Sequence, residues 1–269
     1  MLTFLLACAL GLGVGLVLAL TGAGGAILAV PMLLFALHLP LAQAAPISLL
    51  AVAISTGLGA FLAWRRRALR YRAAGVMAAA GLVMAPLGQW LAQRVPERPL
   101  TMLFAVVLVI AAARTLRQAA RELKGTRAER RDEVPCRLDL QVGRLHWTAP
   151  CALALAATGA LTGLMSGLLG VGGGFVLVPA MMLFTDLPMQ AVVATSMGVI
   201  ALVSSGAAAL AAWHGQVLWQ VGAPFALGAI AGQALGRVWA QRLGGPRLQQ
   251  GFGVLSLLVA AGLVLRAAL

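Results

Sequence analysis

The stretch Gly170-Val171-Gly172-Gly173-Gly174-Phe175-Val176-Leu177-Val178-Pro179 places four glycines within five residues, between two apolar runs. Each glycine weakens a helix by about 1 kcal/mol relative to alanine, so the cluster predicts a break in a helix. The apolar run 175–184 predicts a new short helix whose first N–H groups lie open. Because a helix N-terminus carries a partial positive charge, the break is a candidate anion site.

The same phrase occurs earlier, as Gly22-Ala23-Gly24-Gly25-Ala26-Ile27-Leu28-Ala29-Val30-Pro31. Pro31 and Pro179 are 179 − 31 = 148 residues apart. The same offset pairs Gly22, Gly24 and Gly25 with Gly170, Gly172 and Gly173, and it pairs Ala92-Gln93-Arg94 with Ala240-Gln241-Arg242. A shared register over two such phrases predicts an internal duplication.

The composition is that of a membrane protein. The 269 residues are 61% hydrophobic and only 10% charged, whereas soluble domains carry about 25% charged residues. No Asp, Glu, Lys or Arg precedes Arg65, and Asp186 is the only one between Arg144 and Arg237. Uncharged apolar runs of this length are typical of membrane spans.

Ten apolar segments follow one another in two sets of five. They cover 2–20, 26–37, 42–64, 73–93 and 100–117, then 149–168, 174–185, 189–213, 219–241 and 248–268. The second segment of each set is too short to span, since a span needs about 20 residues. The sequence therefore predicts an all-α polytopic membrane protein with about eight full spans. We expect one membrane domain with a first repeat over 1–117, a charged linker over 118–147 and a second repeat over 148–269.

Loop charge predicts the orientation. The net charge is +13. The basic residues gather in loops beside the spans, where they set the topology and contact lipid headgroups; this distribution argues against nucleic-acid binding. The loop 65–72 carries five arginines and should be cytoplasmic. Its counterpart in the second half, the loop 214–218, has no Lys or Arg and should face outside. The basic linker 118–147 should also be cytoplasmic. The halves are then inverted repeats in the cell (inner) membrane.

Inverted repeats with short broken helices are typical of transporters. Two helix N-termini meeting near the middle of the bilayer would favour a small anion. An anion channel or a membrane scaffold without turnover is an alternative, which saturable uptake into proteoliposomes would separate from a transporter. The glycines Gly11, Gly15, Gly159 and Gly163 have the spacing of helix–helix contacts, and we expect Gly15→Ala to be a mild packing change.

The motifs resemble those of the sulfite exporter TauE/SafE family of membrane transporters. That family carries a G-x-G-G-G-x4-P-type phrase in each half and an A-x-x-T-S-type phrase in the next helix. The second half matches both, with Gly170–Pro179 and Ala191–Ser196, whereas in the first half Ala26 replaces the last glycine and only Ser48 of the Thr-Ser pair is kept. The resemblance implies transport of a small sulfur oxyanion or an organosulfonate.

The candidate substrate-binding residues are therefore Gly22, Gly24, Gly25, Gly170, Gly172, Gly173, Gly174, Ser48, Thr195 and Ser196. The hydroxyls could instead bond back to their own helix carbonyls. His38 and Asp186 occupy equivalent positions, since 186 − 148 = 38. They are candidate coupling residues, although interfacial loop positions are the simpler interpretation.

Other chemistry finds little support in the sequence. The three cysteines, Cys8, Cys136 and Cys151, are unpatterned and suggest neither a disulfide framework nor a metal site, and no cofactor is expected. Ser166 with His214 would be needed for an intramembrane hydrolase, but no oriented base is evident. We expect the lipid bilayer and a small anion as partners, with a homo-oligomer left open.

Overall fold

The computed structural model describes residues 2–66, 68–123, 135–136, 138–139, 144–145, 147–243 and 246–268. In these ranges the chain forms ten α-helices, one 3₁₀ helix and one two-stranded antiparallel sheet. The helices are α1 (Leu2–Thr21), α2 (Ala29–Ala36), α3 (Leu41–Arg65), α4 (Tyr71–Arg94), α5 (Glu97–Leu123), α6 (Ala149–Leu169), α7 (Gly174–Phe184), α8 (Met189–Trp213), α9 (Trp219–Leu243) and α10 (Pro246–Ala268). The 3₁₀ helix is Gly22–Leu28, and strands β1 (Leu138–Asp139) and β2 (Arg144–Leu145) pair with Leu138 opposite Leu145.

Eight long helices and two short ones confirm the nearly all-helical membrane fold expected from the sequence. Among the described residues, α2 has 8 residues and α7 has 11, whereas each of the others has at least 20. Six helices of the described part are long and apolar enough to cross a membrane: α1, α3, α4, α5, α6 and α8. Of the predicted linker, residues 124–134, 137, 140–143 and 146 lie outside the described residues.

Local sequence sets the helix ends beside the short segments. Pro40 and Pro188 each stand in extended conformation immediately before α3 and α8, with ψ of 154° and 146°. Thr148 caps α6, its Oγ1 accepting a hydrogen bond from the Cys151 N–H at 3.3 Å. Gly170 ends α6 in a left-handed conformation with φ of 72°, which costs glycine little because it has no Cβ.

The two halves pack mainly against each other. The largest helix contacts join α1 with α9, α4 with α6, α3 with α8 and α5 with α10. Under the 148-residue offset α1 corresponds to α6 and α4 to α9, so the first two contacts are equivalent. The pairs α3–α8 and α5–α10 each join equivalent helices. The core therefore lies between the halves, so neither half buries it alone.

Glycines permit the closest of these contacts. A Cβ added to Gly163 would meet the Cα of Gly81 at 2.5 Å, and one added to Gly15 would meet Ala229 backbone atoms. Helix–helix packing in membranes uses small residues in this way. The expectation that Gly15→Ala is mild is therefore wrong, because a methyl group there collides with backbone. Gly57 is the better control, since a Cβ there meets nothing within 4 Å.

The cysteine interpretation is also wrong, because Cys136 and Cys151 form a disulfide. Both residues are fully buried. The Cys136 N–H also donates to the Phe184 carbonyl at 3.1 Å. The end of the linker is thus attached to the start of α6 and the end of α7. This pairing could not be predicted from the sequence, because a separation of 15 residues does not show that the linker folds back onto the start of α6.

The contacts also arrange the helix ends. Helices α4 and α6 run parallel, because their contacts advance together: Gly159 with Met77, Gly163 with Gly81 and Gly167 with Ala85. Helices α1 and α9 run parallel in the same way, with Leu12 beside Gly232 and Leu16 beside Gly236. The loop 65–72 therefore lies at the same end as the start of α6. This arrangement fits inverted repeats, which stay a prediction until the two ends are assigned to sides of a membrane.

Charge and redox chemistry make opposite predictions for that end. Five arginines in the loop 65–72 favour the cytoplasm, where disulfides are rare, yet the disulfide lies at the same end. We base the orientation on the charge, because several basic loops act together, whereas the single disulfide is fully buried and therefore shielded from reductants on either side.

Labelling of single cysteines tests this orientation. In spheroplasts, Ala68→Cys should react only with a membrane-permeant reagent, whereas Gly215→Cys should also react with an impermeant one. Labelling of both engineered sites from one side would contradict the inverted repeats. Outside labelling of Ala68→Cys together with inside labelling of Gly215→Cys would reverse the orientation.

Candidate functional site

The turn Gly170–Gly173 joins α6 to α7 through three left-handed glycines, Gly170, Gly172 and Gly173, with φ of 72°, 72° and 67°. The Gly170 N–H donates to the Ser166 carbonyl at 2.9 Å, and the N–H groups of Val176 and Leu177 both donate to the Gly173 carbonyl. The N–H groups of Val171, Gly172 and Gly173 have no acceptor among the described residues. No side chain caps the start of α7. These donors belong to buried residues, so a ligand is a natural acceptor.

Close neighbours explain why glycines occupy this turn. A Cβ on Gly172 would lie 2.8 Å from Val52 Cγ1 and 3.0 Å from Ser204 Oγ. A Cβ on Gly173 would lie 2.5 Å from Thr162 Cγ2 and 2.7 Å from the Thr162 carbonyl oxygen. Three helices therefore enclose the turn: α3, α6 and α8. Any other residue would also be strained by the positive φ.

Four buried hydroxyls belong to these same three helices. Ser48, Thr162, Ser166 and Ser204 are 0% exposed, and their hydroxyl oxygens have no hydrogen-bond partner among the described residues. An unpartnered buried hydroxyl costs about 1–3 kcal/mol. Buried polar groups are nearly always hydrogen-bonded, so these four hydroxyls are candidates to bond a ligand; Ser55, Gln233 and Ser256 are also unpartnered among the described residues.

Helical spacing places two of the hydroxyls relative to the turn. Gly170 approaches Ala45 and Gly172 approaches Val52. Ser48 follows Ala45 by three residues and precedes Val52 by four, so it lies on the same face of α3 as these two residues. Ser166 follows Thr162 by four residues and shares its face of α6 in the same way.

The first glycine cluster has a different form. Gly22, Gly24 and Gly25 belong to the 3₁₀ helix Gly22–Leu28, which runs into α2 through Leu28 in right-handed conformation. The α-helix is interrupted here as predicted, but by a tighter helix. The 3₁₀ helix packs against both α7 and α8, so the two glycine-bearing segments lie against each other.

Thr195 and Ser196 contact the α3–α4 loop and α7, respectively. The Thr195 Oγ1 accepts a hydrogen bond from the backbone N–H of Arg70 at 3.2 Å. The Ser196 hydroxyl faces Met181 of α7, with its Oγ 3.5 Å from the Met181 Sδ. Thr195 precedes Ser204 by nine residues, which is half a revolution from it at 100° per residue. Thr195 therefore serves the α3–α4 loop.

His38 and Asp186 stand at the ends of α2 and α7, and both are exposed. His38 adopts a left-handed conformation with φ of 51°. Exposure fits the interfacial interpretation, since a proton relay inside a membrane protein lies in the bundle or in a cavity.

Thr162, Ser166 and Ser204 were missed as ligand candidates from the sequence. Their equivalents under the 148-residue offset are Val14, Leu18 and Thr56. Two of these are apolar, and Thr56 bonds to the Val52 carbonyl of its own helix at 2.6 Å. The sequence signal that could have identified Thr162 and Ser166 is that their counterparts in the other repeat, Val14 and Leu18, are apolar.

The site offers hydrogen-bond donors without an ionised side chain among the described residues that enclose the turn. It can hold an anion but provides no general base, since the Ser166 hydroxyl has no partner within the described part of the chain. The arrangement suits binding rather than covalent chemistry.

A family model described as Sulfite exporter TauE/SafE matches residues 7–263. The chain belongs to the sulfite exporter TauE/SafE family. Two relatives are each called "Probable membrane transporter protein", from Xylella fastidiosa strains Temecula1 and 9a5c. Each is 29% identical over 258 residues, covering 94% of this chain and 92% of the relative. No solved structure matches the chain.

This TauE/SafE protein is therefore a membrane transporter, and the family identity removes the hydrolase alternative. The resemblance derived from the two glycine phrases is confirmed. A lipid environment and a small-molecule substrate come with the family.

A matched pair of threonines in α6 tests the site. Thr162→Val removes an unpartnered hydroxyl of α6, on a residue that contacts Gly173, so it should raise the transport KM about tenfold or more, the loss expected for one hydrogen bond to a charged group. It should leave thermal stability unchanged or higher, because an unsatisfied polar group is lost.

Thr158→Val is the control, because the Thr158 hydroxyl already bonds to the Ala154 carbonyl at 2.7 Å. Its KM should stay near that of the wild type. Equal KM values for the two variants would argue against a ligand at Thr162.

Proposed function

We propose that this transporter exports a small sulfur oxyanion or an organosulfonate, bound at the turn Gly170–Gly173. The observation that carries the proposal is the coincidence of unpartnered N–H groups with four unpartnered hydroxyls around one buried turn. The family description, sulfite exporter, supports the substrate class and the direction.

Neutral donors suit such an anion. The positive end of the α7 dipole and the backbone N–H groups stabilise negative charge without an ion pair. A tetrahedral or pyramidal oxyanion presents three or more acceptor oxygens on one centre, so it can accept from the turn and from the hydroxyls of α3, α6 and α8 together.

The first glycine cluster supports the site rather than duplicating it. Its 3₁₀ helix packs against α7 and α8, and Ala26, Ile27 and Leu28 are buried. We assign Gly22, Gly24 and Gly25 to this packing role. Gly174 begins α7 and belongs with the anion-binding turn.

Transport should be electrogenic. Because no ionised side chain of the described residues encloses the turn, the anion keeps its charge through the crossing. A membrane potential that is negative inside drives it outward with about 2.3 kcal/mol per charge per 100 mV. That energy corresponds to a gradient of roughly fiftyfold, which makes a proton relay through His38 or Asp186 unnecessary.

Proteoliposomes with an imposed potential test the function and its energy source. Sulfite flux should saturate and follow the potential without a pH gradient, and Asp186→Asn and His38→Gln should retain most of it. Gly173→Leu should abolish it, because the side chain fills the turn, whereas Gly57→Leu should transport normally. Unsaturable flux would favour the channel. Flux that follows only the pH gradient, and is lost with either Asp186→Asn or His38→Gln, would replace electrogenic export by proton coupling.

A further inference from the structure

Gln233 of α9 carries a carboxamide that is fully buried and has no partner within the described part of the chain. Its exposed fraction is 0%, and neither its Nε2 nor its Oε1 has a hydrogen-bond partner there. A buried serine can turn its hydroxyl to a carbonyl of its own helix, whereas the planar amide of a glutamine needs partners at both ends at once. Polar side chains buried in membrane proteins are costly and usually functional.

Gln89 of α4 shows how a structural glutamine is satisfied in this protein. It is 9% exposed, and its Nε2 donates to the Ala207 carbonyl of α8 at 2.7 Å. That hydrogen bond joins two helices. Gln233 makes no such bond to a described residue, so holding helices together does not explain its amide.

Gln233 lies beside the end of α1, just ahead of the first glycine segment, Gly22–Leu28. A Cβ built on Gly15 would lie 2.8 Å from the Gln233 backbone nitrogen, and one built on Gly236 would lie 2.6 Å from the Ala19 Cβ. Helix α1 runs directly into the first glycine segment, which packs against α7 and α8. Gln233 therefore accompanies the last turns of α1 before the first helix break, and that break contacts the short helix that follows the glycine turn.

The two repeats place their polar groups on different helices beside equivalent breaks. Under the 148-residue offset Gln233 corresponds to Ala85, and Ala19 corresponds to Gly167. A Cβ on Gly167 would collide with the Ala85 carbonyl, so Ala85 lies beside the end of α6 as Gln233 lies beside the end of α1. At the second break the unpartnered hydroxyls belong to α6 itself, whereas their counterparts on α1 are apolar. The helix paired with α1 thus supplies the polar group that α1 lacks.

A carboxamide selects its ligand because it offers both a donor and an acceptor. Its Nε2 can donate to any oxygen of an anion, whereas its Oε1 only accepts. An anion whose oxygens all accept therefore leaves the Oε1 unpaired, and an anion that also carries a hydroxyl satisfies both ends. A site built to bond a substrate hydroxyl disfavours the analogue that lacks it, because a buried acceptor is then left unpaired.

We propose that Gln233 is a second binding residue for the transported anion, at the first helix break, and that it selects a sulfur oxyanion that carries a hydroxyl group. The free N–H groups of the turn Gly170–Gly173 only donate, so they bind the negative charge and do not require the hydroxyl. This inference rests on the proposed function and narrows its substrate class.

Two sulfonates that differ by one hydroxyl test the proposal, namely ethanesulfonate and 2-hydroxyethanesulfonate, each measured as flux into proteoliposomes. The wild type should have a KM about fivefold lower for the hydroxylated anion, the effect of one neutral hydrogen bond. Gln233→Met keeps a long unbranched side chain and removes the amide. It should raise the KM for 2-hydroxyethanesulfonate about fivefold more than the KM for ethanesulfonate, so that the preference disappears.

Gln89→Met is the matched control, because it removes a buried amide whose hydrogen bond is made within the protein. It should keep the wild-type preference between the two sulfonates but lower the melting temperature, since the Ala207 carbonyl loses its donor. Gln233→Met should leave the melting temperature unchanged or raise it, because an unpartnered polar group is lost.

Equal KM values for the two sulfonates in the wild type, or saturable sulfite flux with neither sulfonate carried, would overturn this inference alone. So would a Gln233→Met variant that fails to fold or that keeps the wild-type preference, since either result would assign the amide to packing or to an ordered water. Absence of saturable flux for sulfite and for both sulfonates in the wild type would overturn both this inference and the proposed function.

Discussion

The structure depends on one constraint, which is that the backbone N–H groups of Val171, Gly172 and Gly173 need hydrogen-bond acceptors. A membrane interior supplies no water to satisfy them, and irregular backbone survives at that depth only where protein or a ligand surrounds it. Helices α3, α6 and α8 enclose the turn, yet the hydroxyls they bring to it are themselves unpartnered. The fold therefore brings unpartnered hydrogen-bond donors together at one place. These donors lower the stability of the folded protein unless an acceptor binds there.

The interlocked repeats explain how such a turn is held. Pairing of α4 with α6 and of α1 with α9 through backbone-close glycine contacts fixes the helices of one half against those of the other. Close packing and hydrogen bonding drive association of helices in lipid, because lipid tails are as apolar as the side chains. A methyl group at Gly163 would disturb the site from a distance, since it would move α6, one of the helices that enclose the turn.

Much of this fold could be predicted from the sequence, and the site only in part. Apolar run lengths fixed the long helices within a few residues, because the bilayer imposes a length, and the duplicated glycine phrase located both helix breaks. The phrase could not reveal that Gly22–Leu28 forms a 3₁₀ helix while Gly170–Gly173 opens, since only one of its glycines is replaced, by Ala26. Thr162 and Ser204 were missed because their approach to the turn depends on the tertiary packing of α6 and α8. Cys136 and Cys151 were missed for the same reason.

Anomalous diffraction from crystals grown with selenite, a heavier analogue of sulfite, tests the central claim most directly. The account predicts one strong selenium peak within hydrogen-bond distance of the Gly172 and Gly173 N–H groups and of the Ser204 and Thr162 hydroxyls, lost in Gly173→Leu. A peak that lies elsewhere in the bundle and persists in Gly173→Leu would contradict it.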